Sequence, residues 1–276
     1  MMPFIADLFI NSRPPRDRSS PPSLASGDVH VWRFRYNSVA FNAPPWIRRL
    51  LAADELETAS RLVFQDDQTR FLLRRAFVRI ILGIYVGIAP QNLSFRKNKW
   101  GKPSINGLDT AGIEFNVSHT KSLVLLALTK GAPLGIDVEQ LDCESNPQFL
   151  APDVLASKEQ SILAESALSD RKTRFLRLWC RKEACLKAIG IGLINDLATL
   201  DVSEDIVVNL VEIIQKEGLQ KEGFREWTSV HLEDLNIDPD HFAALSKAAL
   251  SAPVSHIPFL ERFSPTCVSP EMDSNR

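Results

Sequence analysis

The sequence predicts a mixed α/β (α+β) protein, and three observations predict it. Short apolar runs with strand-like character are interspersed with longer stretches whose apolar residues recur at three- and four-residue spacing. The order strand, helices, several strands occurs twice, which suggests two similar halves, although no residue-level repeat accompanies it. Finally, 276 residues with 45% apolar and 24% charged content suffice for one large core or two modest ones.

Taken in chain order, residues 11–27 hold five Ser, four Pro and three Arg with hardly any large apolar residue, the composition of a mobile leader. Val29 to Tyr36 reads as a strand with Trp32, Phe34 and Tyr36 on one face. From Asp54 to about Tyr85 the spacing is helical, with a break expected near Gln65-Asp66-Asp67. Lys99-Trp100-Gly101-Lys102-Pro103 is turn-rich. Strands follow at Ile113–Val117, Leu123–Leu128 and Leu134–Glu139, then helices over 157–168 and 170–189. Further strands are expected at 198–203, 206–214 and 227–232. The prolines at 253, 258, 265 and 270 mark an irregular tail. The division expected is a leader (1–28), an N-terminal α/β lobe (29–130), a C-terminal α/β lobe (131–245) and the tail (246–276).

Net charge is −2, so no global positive field favours nucleic acid or a membrane surface. No apolar run reaches the roughly 20 residues that span a bilayer. The four cysteines show no Cys-x-x-Cys spacing, and the first residues lack the basic start of a signal peptide. The expectation is a reduced, cytoplasmic protein.

Three carboxylates carry the chemistry. In Gly135-Ile136-Asp137-Val138-Glu139 the pleat puts Asp137 and Glu139 on one face, where like charges repel unless a cation lies between them. Such a pair can also be the solvent face of an edge strand. On a helix over 175–190, Phe175, Leu176, Trp179 and Leu186 form an apolar arc, and Arg174, Arg177 and Arg181 are expected to face water. Glu183 and Lys187 fall inside the apolar arc. A Glu-Lys pair four apart is a common surface feature, but its place beside an aromatic suits metal ligation and proton transfer. A hard cation such as Mg²⁺ accounts for Asp137, Glu139 and Glu183 together.

Polar groups collect where Asn116-Val117-Ser118-His119-Thr120 ends its strand. Ser118 and His119 can donate to phosphate oxygens there, although a histidine at a strand end is often only structural. Lys102, between Gly101 and Pro103, suits a lysine aimed into a cleft or an ordinary turn. Arg70 and Arg74, one turn apart, could form a phosphate-binding face or merely solvate their helix.

In order and spacing, Trp-Gly-Lys-Pro (100–103), Phe-Asn-Val-Ser-His-Thr (115–120), Gly-Ile-Asp-Val-Glu (135–139) and Trp-Cys-Arg-Lys-Glu-Ala-Cys-Leu-Lys-Ala-Ile-Gly-Ile-Gly-Leu (179–193) closely resemble the 4′-phosphopantetheinyl transferases of the single-chain, surfactin-synthetase-activating type. The likeness spans about residues 54–232. It implies two pseudo-symmetric lobes, each a small, mainly antiparallel sheet packed with helices, and an active site in the cleft between them. It implies Mg²⁺ on Asp137, Glu139 and Glu183, and coenzyme A phosphates on Lys102, Ser118, His119 and Lys187. Arg61 and Arg70 fall near the family's adenosine 3′-phosphate contacts, whereas Glu55 and Thr58 stand where relatives carry lysines. The reaction implied is transfer of the 4′-phosphopantetheine arm to a serine of an apo acyl or peptidyl carrier protein, releasing 3′,5′-ADP, with Glu183 as base and Lys187 stabilising the leaving phosphate. A monomer is expected, since both lobes lie in one chain. The competing readings are a Mg²⁺-dependent phosphodiesterase, which lacks a basic stripe interleaved with aromatics, and a non-catalytic coenzyme A-binding protein.

Overall fold

Apolar segments with no polar face have to be covered on both sides, and that requirement shapes this molecule. The computed structural model describes residues 4–7, 24–36, 43–107, 112–142, 151–192, 197–207 and 229–249. The first sheet contains β1 (Phe4–Asp7), β2 (Val29–Arg35), β5 (Ile113–His119) and β6 (Leu123–Lys130) in the order β1-β2-β6-β5. Its pairs are antiparallel apart from β1 with β2. Helices α1 (Ala53–Ser60) and α2 (Gln65–Val86), and the ribbon of β3 (Phe95–Lys97) and β4 (Pro103–Ile105), complete the first lobe. The second sheet has the order β7-β10-β9-β8, from β7 (Leu134–Gln140), β8 (Ile206–Val207), β9 (Ser229–Asp238) and β10 (His241–Ala249). Helices α3 (Ala151–Val154), α4 (Ser157–Ala164) and α5 (Leu168–Ile189) accompany it.

Alternation along β6 distributes its side chains between two cores. Leu123, Leu125 and Ala127 join Val29 and Val31 against Leu134, Ile136, Val138, Leu235, Ile237, Ala243 and Leu245 of the second sheet. Val124, Leu126 and Leu128 point the other way, to Phe77, Ile81 and Leu82 of α2. Phe34 stacks on Phe77 there at 5.6 Å between centroids. On the outer face of the second sheet α5 covers β7 and β10, with Cys180 and Ala184 against Ala244. The result is four layers, helix–sheet–sheet–helix, with each sheet buried on both faces.

The break expected near residue 65 is present as the turn between α1 and α2, and the strands at 29–36, 113–117, 123–128 and 134–139 all form. Other segments differ from expectation or add to it. Phe4–Asp7, inside the segment read as a leader, pairs with β2. β10 runs past 246, where the tail was expected to begin, to Ala249, and lies between β7 and β9. Its alanine-rich sequence has weak strand preference, and pairing on both edges overrides it. The strand expected at 198–203 is a 3₁₀ turn at Leu197–Thr199 followed by irregular chain. The turn-rich stretch at 99–103 is present as the turn of a ribbon whose strands, β3 and β4, were not expected. Arg181 is 4% exposed rather than solvated. It is covered by β9 and the 202–205 segment, with Asp234 at 2.7 Å and Asp205 at 2.8 Å. Residues 8–23, 143–150, 208–228 and 250–276 lie outside the described residues, and with them most of the leader, part of the 206–214 strand and the rest of the tail. Among the described residues no helix is long and apolar enough to cross a membrane.

Candidate functional site

The site begins with a missing side chain. A Cβ at Gly135 would lie 2.0 Å from the Ala184 carbonyl oxygen and 2.4 Å from the Ala188 nitrogen, so α5 rests its backbone directly on β7. Alternation then sends Asp137 and Glu139 to the same side as Gly135, toward α5, while Ile136 and Val138 enter the inter-sheet core. The helix presents Glu183 and Lys187 to them.

Lys187 Nζ lies 2.5 Å from Asp137 Oδ1 and donates to Ser118 Oγ at 3.1 Å. The Ser118 hydroxyl donates to the same Asp137 oxygen at 2.9 Å and accepts from the Val138 N–H at 3.3 Å. Asn116 Oδ1 accepts from the Ile136 N–H at 2.9 Å. Two side chains of β5 therefore do for β7 what a ladder strand would do, holding the carboxylate strand in place where the sheets meet. Trp179 Nε1 donates to Glu139 Oε1 at 3.2 Å.

The negative charge is only partly met. Asp137 Oδ2 is buried without a hydrogen-bond partner. Burial first, then the charge of Asp137, pushes Glu183 up to about 7, with Glu139 adding to the shift and Lys187 opposing it. Glu139 is raised by burial and then by Asp137, with Trp179 and Lys187 opposing. The donor set, carboxylate oxygens with one buried oxygen unsatisfied, fits a hard divalent cation. Among the described residues no three ligand side chains are gathered as a metal-binding group. Lys187 provides the counter-charge at Asp137 instead.

On the first lobe, α2 and the β5–β6 turn enclose a cavity of about 440 Å³ lined by Leu62, Arg70, Phe71, Arg74, His119 and Lys121 among others. Arg70 is oriented by Asp67 at 3.0 Å and by the Lys121 carbonyl at 3.1 Å. Arg74 lies over the Phe71 ring at 5.4 Å and has no ion pair among the described residues. His119 is pushed down to about 4, by burial first and then by the charges of Arg74 and Lys187. An apolar wall with converging cations suits a phosphorylated aromatic ligand.

Arg61 and Lys102 are not among the residues lining this cavity. Arg61 is exposed and paired with Glu57 at 2.5 Å, outside the residues lining the cavity. Lys102 does not point into that cavity, because its Nζ donates to the carbonyls of Leu134 and Ala188 at 3.1 and 2.9 Å. Burial lowers it to about 8 against the charge of Glu114. Glu55 is buried against Arg75 and Arg79, with Arg79 Nε at 2.7 Å. The geometry adds Gly135 and Asn116 as functional positions. Gly135 opens the Gly-Ile-Asp-Val-Glu string, but only the crossing helix reveals its necessity.

One further cluster has the spacing of a hydrolytic triad. Ser122 Oγ lies 2.9 Å from His241 Nε2, and His241 Nδ1 lies 2.8 Å from Asp238 Oδ1. The N–H groups of Ser122 and Leu123, which an oxyanion would need, both donate to Thr120 Oγ1 at 3.2 and 3.1 Å. Asp238 also pairs with Arg35 of the first sheet. The cluster is a tie between the lobes.

Fold and site together define a two-lobed α+β protein that sets a carboxylate–lysine cluster near a cationic pocket, the equipment of a phosphoryl-transfer catalyst. Residues 133–245 match the family described as the 4′-phosphopantetheinyl transferase superfamily, and residues 45–131 match 4′-phosphopantetheinyl transferase, N-terminal. The 4′-phosphopantetheinyl transferase HetI of Nostoc sp. is 33% identical over 176 residues, covering 63% of this chain and 74% of that protein. The 4′-phosphopantetheinyl transferase gsp of Aneurinibacillus migulanus is 33% identical over 169 residues, covering 60% and 62%. The rat L-aminoadipate-semialdehyde dehydrogenase-phosphopantetheinyl transferase is 25% identical over 230 residues, covering 78% and 73%. The chain belongs to the 4′-phosphopantetheinyl transferase superfamily.

Proposed function

We propose that the protein transfers the 4′-phosphopantetheine arm of coenzyme A to a serine of an apo carrier protein, as an enzyme of the surfactin-synthetase-activating type with lobes at 29–130 and 131–245. The observation that carries the reading is the cluster of Asp137, Glu139, Glu183 and Lys187, built at the contact of α5 with β7 inside the segment that matches the family. The carrier hydroxyl attacks the β-phosphorus of coenzyme A, a new P–O bond forms, and the bond to the bridging oxygen breaks. The product 3′,5′-ADP leaves with that electron pair. Glu183 accepts the serine proton, a role for which a carboxylate raised toward neutrality is suited. Lys187 neutralises charge growing on the leaving phosphate, and Ser118 holds Lys187 and Asp137 in register. Asp137, Glu139 and Glu183 would hold Mg²⁺, which when bound would supply positive charge to the pyrophosphate.

The test is incubation with coenzyme A, Mg²⁺ and a panel of apo carrier proteins. A carrier mass gain of one phosphopantetheine arm supports the reading. Binding of coenzyme A without transfer would favour a non-catalytic binder, and cleavage of phosphodiesters without carrier modification would favour a phosphodiesterase.

The nucleotide end of coenzyme A is assigned to the cavity of Arg70, Arg74 and His119. Arg74→Gln should raise KM for coenzyme A roughly tenfold or more, the loss of one charged hydrogen bond, with kcat changed little. An unaltered KM would remove Arg74 from the site. His119 supplies a pH signature. Its lowered value means the unfolded chain takes up a proton first, so its contribution to stability is lost as pH falls from about 6.5 to about 4. A bound phosphate offsets the repulsion from Arg74 and Lys187, so the His119 imidazole resonance should titrate at higher pH with coenzyme A present. An unshifted titration would place the phosphate elsewhere.

A further inference from the structure

The ribbon of β3 and β4 belongs to the first lobe at its base and to the second at its tip. Phe95 and Ile105 sit with the first core. Trp100, at the turn, packs on the core beneath α5, with the Lys99 ammonium over its ring at 4.0 Å. A two-stranded ribbon is marginal alone, so what holds its tip matters. Asn98 organises the turn: its Oδ1 accepts the N–H groups of Trp100 at 3.0 Å and Lys102 at 2.9 Å. The amide's other end, Nδ2, donates to the Gly190 carbonyl at 2.7 Å. Lys102 Nζ donates to the Ala188 carbonyl at 2.9 Å and to the Leu134 carbonyl at 3.1 Å.

Ala188 and Gly190 lie at the C-terminal end of α5, where carbonyls have no partner within the helix. Leu134 begins β7. The two side chains thus bind the end of the helix and the start of the strand that Gly135 brings into backbone contact. The fit is close, since a Cβ on Gly190, already at φ +79°, would come within 2.9 Å of Lys102 Cδ and 3.2 Å of Asn98 Nδ2. Lys187, one residue before Ala188, carries the ammonium that meets Asp137 and Ser118.

We propose that Asn98 and Lys102 are positioning residues, and that the ribbon tip clamps α5 to β7 so that Lys187 is held at Asp137. The effect on rate rests on the transferase reading, but the clamp itself does not. Asn98→Asp is the discriminating variant, because it keeps the oxygen that organises the turn and replaces the donor to Gly190 with an acceptor. Exchange of the amides at 186–190 should quicken about tenfold, the worth of one hydrogen bond. The kcat for transfer should fall roughly tenfold or more, since small displacements of reacting groups are costly, with KM for coenzyme A within about twofold of wild type. Lys102→Met should reproduce the pattern and keeps the test alive if the first variant folds poorly. Unchanged exchange at 186–190 in both variants would overturn the clamp. A raised KM with retained kcat in Lys102→Met would also overturn it, making Lys102 a ligand contact. A wild-type protein that transfers nothing sinks the transferase reading, and the exchange measurement still judges the clamp.

Discussion

Gly135→Ala is expected to cost at least about 3 kcal/mol of stability and to abolish most turnover. Overpacking a core costs roughly 1–3 kcal/mol when side chains can yield. Here the new methyl would meet the backbone of α5 at 2.0 and 2.4 Å, and backbone cannot rotate away. The helix has to lift or slide, and it carries Glu183 and Lys187 with it. A displacement near 1 Å at reacting groups can cost about 10²-fold in rate. Thermal unfolding and transfer assays below the lowered midpoint separate the two losses. A variant with wild-type midpoint and kcat would show that the contact of α5 with β7 does not govern the site.

Glu183→Gln is expected to lose roughly 10²- to 10⁴-fold in kcat, the span of a lost general base. Its stability should move the opposite way or stay put. Burial and the charge of Asp137 already disfavour the ionised form of Glu183, so a neutral amide of similar shape removes a cost. Loss of activity together with an undiminished unfolding midpoint is the signature of a group kept for chemistry rather than for folding. Equal turnover at saturating Mg²⁺ would exclude Glu183 as the base, and a collapse in midpoint would make it structural.

The contrast with Lys182 shows why position decides the meaning of a charge. Lys182 and Glu159 are both fully buried and 2.8 Å apart. Lys182 also donates to the Leu197 carbonyl at 3.1 Å, and Glu159 accepts from the N–H groups of Ala156 and Val202. This network is closed, as a buried pair must be to persist. At Asp137, one residue beyond Ile136 in the same strand that α5 covers, an oxygen remains unsatisfied and two more carboxylates press on it. The open network is the candidate site and the closed one is framework.

Much of this was readable before any fold. The alternation at Ile136-Asp137-Val138-Glu139 oriented both carboxylates correctly, because a pleat of period two leaves a side chain only two faces. The arc of α5 put Glu183 and Lys187 beside Trp179 for a similar reason, and the break near Gln65 followed from local spacing. Those inferences use geometry internal to one element. Arg181 escaped them because β9 and the 202–205 segment, distant in sequence, cover that side of the helix. β10 escaped because an alanine-rich run becomes a strand only when edges of β7 and β9 await it. Lys102 was visible as an unusual turn lysine, but its acceptors belong to residues 32 and 86 positions away.

What the sequence determined alone was therefore the inventory: which residues carry charge into apolar segments, on which face of each element, and in which family order. What tertiary structure decided was who meets whom. Gly135 shows the difference most plainly, since its missing side chain has meaning only once a helix some 50 residues later lies within 2.0 Å of where a Cβ would be. Local propensity acts over a few residues, whereas contact, desolvation and charge coupling act through space, and the chemistry of this site depends on the second kind.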